Sequence, residues 1–161
     1  FAWYTAQQLQ GVDLQLVDLN DYPLPIYSID LEKTSGVPVA ASQFAEEIIK
    51  ADALVISLAE HNGLFTSAFK NLWDWMSRLG SPKIWQSKPI FLLCTSSGRR
   101  PEKYVMKVAK HLFPAFGGRV IADFYLPGFG DEFIGGAIKS PDLAEQFQSA
   151  VGVFQAFLNQ N

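Results

Sequence analysis

Two apolar runs, residues 53–58, interrupted only by Ser57, and residues 90–94, constrain this chain more than any other feature. Each is too short for an ordinary helix, and the first carries Val55 and Ile56, so each reads as a strand buried on both faces. Between them, roughly 100° per residue places Phe65, Ala68, Phe69, Leu72, Trp73, Trp75, Met76 and Leu79 on one helical arc, with Ser67, Lys70, Asn71, Asp74 and Arg78 opposite. Two fully buried strands separated by a helix call for a parallel sheet covered by helices. The polar loop Glu60-His61-Asn62-Gly63 follows the first strand. In open α/β sheets ligands collect at such carboxyl-terminal strand ends.

The rest of the chain extends that alternation. Residues 1–10 are helix-forming and read as the middle and end of a helix that would stop at Gly11. Residues 12–16 alternate apolar and polar, as a half-exposed edge strand does. Residues 20–38 hold Pro23, Pro25, Gly36 and Pro38 and read as a long surface loop, functional or mobile. Residues 43–51 carry Phe44, Ile48 and Ile49 at helical spacing. Gly80-Ser81-Pro82 ends the tryptophan-rich helix. After the second apolar run, Thr95-Ser96-Ser97-Gly98-Arg99-Arg100 is another strand-to-helix loop. Pro101 suits a first helical position, and Tyr104, Val105, Val108, Ala109, Leu112 and Phe116 supply the stripe behind it. A last strand spans 119–126, followed by a glycine-rich loop over 127–136. Ser140-Pro141-Asp142 opens a final helix with a capping serine, and Leu143, Phe147, Val151, Phe154 and Leu158 form its apolar face.

Composition narrows the class. A chain of 161 residues with 48% apolar content is enough for one well-buried domain. The net charge of −3 leaves no basic footprint for nucleic acid. Cys94 is the one cysteine and lies inside an apolar run, so it reads as a small hydrophobe. His111 reads as a structural residue beside the core. There is no apolar run of membrane-spanning length and no signal-peptide pattern, and the expectation is a soluble cytoplasmic protein. No cluster of His, Cys or carboxylates suggests a metal site, and no Ser-His-Asp order stands out.

The stretch from Glu60 to Trp75 resembles the NAD(P)H-dependent FMN reductase family, which is flavodoxin-like in fold. The family segment runs Pro-Glu-Tyr-Asn-Gly, small residues, then Leu-Lys-Asn-Ala-Leu-Asp-Trp; Glu60, Asn62, Gly63, Lys70, Asn71, Asp74 and Trp75 match it. Ala59 replaces the usual proline and His61 the usual tyrosine. The resemblance implies a doubly wound parallel sheet of strand order 2-1-3-4-5 over residues 1–161. Its first strand and phosphate loop, about twenty residues, are expected to be missing before the first helix. A gap at that central position would leave two rows of backbone groups unpaired.

The resemblance also implies a site that binds FMN and takes NADPH or NADH, with the flavin itself carrying the chemistry and no catalytic side chain. Glu60, His61, Asn62 and Gly63 would lie along the flavin ring, and Thr95, Ser96, Ser97 and Gly98 would flank the ring or ribityl chain. Arg99 and Arg100 would hold nicotinamide phosphates, or be ordinary solvated charges. His61 is open to two readings, a stacking partner or a plain loop residue. Family members pair through the tryptophan-rich helix, implying a homodimer or homotetramer through Trp73 and Trp75; the alternative is that both indoles cover core. The leading function is an oxidoreductase that passes electrons to a small-molecule acceptor: a quinone, azo compound, metal ion or flavin. The alternative is an electron-transfer or cofactor-free binding module of the same fold. A phosphoacceptor domain needs an aspartate where Ser57-Leu58-Ala59 stands and a lysine where Pro127-Gly128 stands, which counts against it.

Overall fold

The computed structural model describes residues 1–81, 83–99 and 103–160. Pro82, Arg100 and Pro101, to which the sequence gives a helix stop, a phosphate contact and a helix start, lie outside them. The helices are α1 (Ala2–Ala6), α2 (Ile29–Ser35), α3 (Val39–Lys50), α4 (Ser67–Met76), α5 (Tyr104–Ala115), α6 (Phe129–Glu132) and α7 (Pro141–Leu158). The strands are β1 (Leu54–Ala59), β2 (Pro89–Thr95), β3 (Arg119–Leu126), β4 (Phe133–Ile134) and β5 (Ala137–Ile138).

Strands β1, β2 and β3 form a parallel sheet in that order, with Leu54 opposite Ile90 and Ala59 opposite Thr95. β2 is its centre: Ile90 to Cys94 are fully buried because both faces are covered. On one face Ile90, Leu92 and Cys94 pack with residues of α3, α4 and α5; on the other Phe91 and Leu93 pack with Phe147, Val151 and Phe154 of α7 and with Phe1 and Tyr4. Alternation along one strand thus feeds two cores, the three-layer plan that the apolar runs demand.

Several expectations need correction. Residues 12–16 form no strand: they are not in the sheet, and Val12, Leu14 and Leu16 are exposed. An alternating pattern makes a strand only when a neighbour completes its ladder, and none among the described residues does. The 20–38 segment is no plain loop. It holds a 3₁₀ turn at Leu19–Asp21 and helix α2, whose start is capped by Ser28 Oγ accepting from Leu31 N–H at 3.1 Å and whose end is Gly36. The 127–136 stretch holds α6 and most of a hairpin, β4–β5, closed by Gly135 and Gly136, both at positive φ. Ser140 stands at the N-cap of α7, yet its side chain makes no capping bond. His111 is exposed on α5, and the buried stripe of that helix is completed by Met106 and Phe113 while Tyr104 faces outward.

Helix α4 shows why its apolar arc is so wide. Trp73 enters the aromatic cluster of Phe69, Trp85 and Phe113, with Trp85 and Phe113 centroids 4.7 Å apart. Trp75 faces the opposite way and is fully buried under residues 25–27: its Nε1–H donates to Pro25 O at 2.7 Å and Tyr27 packs edge-on at 5.0 Å. Asn71 adds three bonds, accepting from Tyr27 N–H at 2.8 Å and donating to Pro25 O at 3.0 Å and to Leu24 O at 3.4 Å. Both indoles therefore cover core within one chain, and Ala68, on the expected apolar arc, is exposed.

Candidate functional site

Two polar turns leave the carboxyl ends of β1 and β2, and the parallel register sets them side by side. The β1 turn is a miniature hairpin. His61 and Leu64 exchange both backbone hydrogen bonds at 3.0 Å, and the central residues Asn62 and Gly63 have φ of 52° and 80°. Positive φ at both positions is the type I′ geometry that Asn-Gly favours, since asparagine tolerates the left-handed region and glycine has no Cβ to clash. Glu60 N–H donates to Thr95 O at 2.8 Å, joining this turn to the β2 turn.

The β2 turn is held from the far side. Ser96 N–H donates to Leu126 O at 3.3 Å, and Gly128 N–H and Phe129 N–H donate to Gly98 O and Ser96 O at 2.8 and 2.9 Å. Ser96 Oγ donates to Gly98 O at 2.8 Å, so the contact of 2.8 Å between it and the Tyr125 hydroxyl has tyrosine as donor. Gly128 sits at φ 58°, and a Cβ there would meet Arg99 Cγ at 3.1 Å.

Among the described residues the backbone N–H groups of Asn62, Gly63, Ser97 and Gly98 have no hydrogen-bond partner, and a Cβ added at Gly98 would meet nothing within 4 Å. Adjacent donors, with open space at Gly98, suit the polar edge of a flat ring, the requirement for holding a flavin. His61, Asn62, Ser97, Gly98 and Arg99 are exposed, Glu60, Gly63, Thr95 and Ser96 half-buried. The sequence-expected site residues thus converge on two touching turns.

Their roles differ in detail. The Glu60 carboxylate points back into the protein, where Oε2 accepts from Val105 N–H at 3.1 Å. Arg99 is engaged: Nη1 donates to Glu132 Oε1 at 2.9 Å and Nη2 to Asp131 Oδ2 at 3.3 Å, and these carboxylates, Glu132 first, hold its guanidinium above its ordinary value. Cys94, just under the β2 turn, is fully buried, and burial pushes its thiol far above the usual range. Sequence reading missed Tyr104, assigned there to the core stripe; its exposed ring lies against the Gly63 apex, where an added Cβ would sit 3.7 Å from Cδ2. It also missed Lys103, whose Nζ lies 5.8 Å from the Tyr125 ring centre. The packing of the β1 turn onto the start of α5 is a tertiary juxtaposition with no local signature.

The family described as NADPH-dependent FMN reductase matches residues 1–130. A quinone reductase of Escherichia coli (strain K12) is 33% identical over 102 residues, 61% of this chain and 54% of that protein. An NADPH:quinone oxidoreductase of Arabidopsis thaliana is 30% identical over 94 residues, 58% and 46% of the two chains. This chain spans about half the length of these curated relatives. In fold it is similar to FerB, a flavoenzyme NAD(P)H:(acceptor) oxidoreductase from Paracoccus denitrificans, with a TM-score of 0.71 at 21% identity, covering 98% of this chain and 87% of that one. The Glu60 to Trp75 motif, the parallel sheet that carries it and a family match over most of its length agree: the chain belongs to the NADPH-dependent FMN reductase family.

Proposed function

We propose that this chain holds FMN across the β1 and β2 turns, takes reducing equivalents from NADPH or NADH, and delivers them to a small-molecule acceptor. The supporting observation is the 2.8 Å bond from Glu60 N–H to Thr95 O, which sets two pairs of amides, unpartnered among the described residues, side by side at the carboxyl end of a parallel sheet. Bound FMN supplies a ring that accepts and releases the electron pair. The protein's part is placement. The amides of Asn62, Gly63, Ser97 and Gly98 orient the polar ring edge, His61 and Tyr104 flank it, and Ser96, braced by Tyr125, fixes the second turn. Arg99 holds a nicotinamide phosphate by exchanging its carboxylate partners for it. Quinones are the first acceptor class to assay, with azo compounds, metal ions and free flavin after them.

In this reading residues 1–161 belong to one flavodoxin-like domain of order 2-1-3-4-5, in which β1, β2 and β3 are the last three strands. The protein works in the cytoplasm as a homodimer or homotetramer. With Trp73 and Trp75 buried in the chain, the contact on α4 falls to its exposed residues, Ala68 and Lys70 among them. Titration of the chain with FMN, followed by quenching of flavin fluorescence, is expected to saturate, and the loaded protein to oxidise NADPH or NADH with a soluble quinone. Gly63→Ala, forced to φ near 80°, should weaken FMN by about tenfold. Unquenched flavin throughout the titration would overturn the proposal.

A further inference from the structure

Helix α5 begins without a cap of its own. Its N-cap position is Lys103, which has no side-chain acceptor and makes no capping bond. The free N–H groups of a first helical turn need acceptors, and the helix dipole favours an anion among them. The acceptor for Val105 N–H comes from 45 residues upstream, as the Glu60 carboxylate at 3.1 Å. The backbone N–H of the same residue bonds Thr95 O. One residue thus ties the end of β1 to the end of β2 and to the start of α5, immediately before the His61–Leu64 hairpin. The tie is repeated at the hairpin apex, where the first residue of α5, Tyr104, lays its ring against Gly63.

We infer that Glu60 is a positioning residue: its carboxylate caps α5 and thereby sets the angle of the Asn62-Gly63 turn, without itself contacting the cofactor. The inference deepens the FMN reading and rests on it for what the turn holds; the cap itself stands on this chain's own atoms. It also explains why an acidic residue suits a turn whose task is to offer amide donors. A carboxylate aimed at a flavin would compete for those donors, whereas one turned onto a helix start leaves them free.

The test compares Glu60→Ala with Glu60→Gln, which keeps a carbonyl acceptor. In the flavin-free chain, Glu60→Ala should speed amide exchange at Val105, His61 and Leu64 together by about tenfold, the scale of a lost helix cap, and leave Leu92 in β2 unchanged. Glu60→Gln should restore most of that protection. In FMN titrations Glu60→Ala should bind about tenfold more weakly and Glu60→Gln within about threefold of the parent. Unchanged exchange at Val105 in Glu60→Ala overturns the inference, as does acceleration spread evenly to Leu92. So does a Glu60→Gln protein that protects Val105 yet binds FMN as poorly as Glu60→Ala, because the charge would then act on the ligand. If the parent takes up no FMN, the functional reading fails while the exchange measurement still decides the cap.

Discussion

Glu32 illustrates how single residues secure the segment that the sequence leaves looking like loop. Its two carboxylate oxygens accept from Arg78 Nε at 3.0 Å and from the Tyr27 hydroxyl at 2.9 Å. Arg78 first, then Tyr27, hold its carboxyl below the ordinary glutamate range. A group whose folded pKa is depressed stabilises the fold above its unfolded pKa, and that contribution disappears as the pH drops through the folded value. The Tm advantage of the parent over Glu32→Gln should therefore be full at neutral pH and shrink as the pH falls below the ordinary glutamate range, followed by circular dichroism. A gap that persists at acid pH would assign the effect to packing. At this scale Asn62 and Gly63 were legible, because their backbone preference is local. Glu60 and Arg99 stood out in the two turns, but their bonds did not. Each finds its partner on another element, Val105 in one case and Asp131 and Glu132 in the other.

Among the elements, α4 bears the family motif, and its polar matches serve packing. Lys70 and Asp74 pair one turn apart at 2.7 Å, while Asn71 and Trp75 fasten residues 25–27 across the helix. Trp75→Phe keeps most of the buried ring and removes the donor to Pro25 O. It should destabilise the protein by about 1–3 kcal/mol, the cost of losing a buried hydrogen bond, measured by urea unfolding. Asn71→Ala should act on the same segment, so the double variant should cost less than the sum of the two. The 3.6-residue spacing predicted the buried faces of α4 and α7 well, since a helix reports its environment along its own length, but in α5 it found Val105 and Ala109 and missed Met106 and Phe113. It failed for α2 and for the β4–β5 hairpin, short elements that prolines and glycines disguise as loop.

For the whole molecule, the parallel sheet was readable from two apolar runs: β2 is buried on both faces, which leaves no polar alternation to find, whereas β1, at the edge of the described sheet, is only half-buried over most of its length. Residues 12–16 misled because alternation describes one strand, whereas a sheet is a property of two. One consequence concerns light. Trp73, Trp75 and Trp85 sit in apolar surroundings at 6%, 0% and 2% exposure, whereas Trp3 is 41% exposed. Three of the four indoles thus emit from a dry interior, and Trp73 belongs to the helix that follows the β1 turn. A yellow chromophore arriving at that end of the sheet would drain their excited state by resonance transfer. The emission band, blue-shifted in the folded protein, should dim in proportion to occupancy, giving the molecule a gauge of its own loading that needs no attached dye.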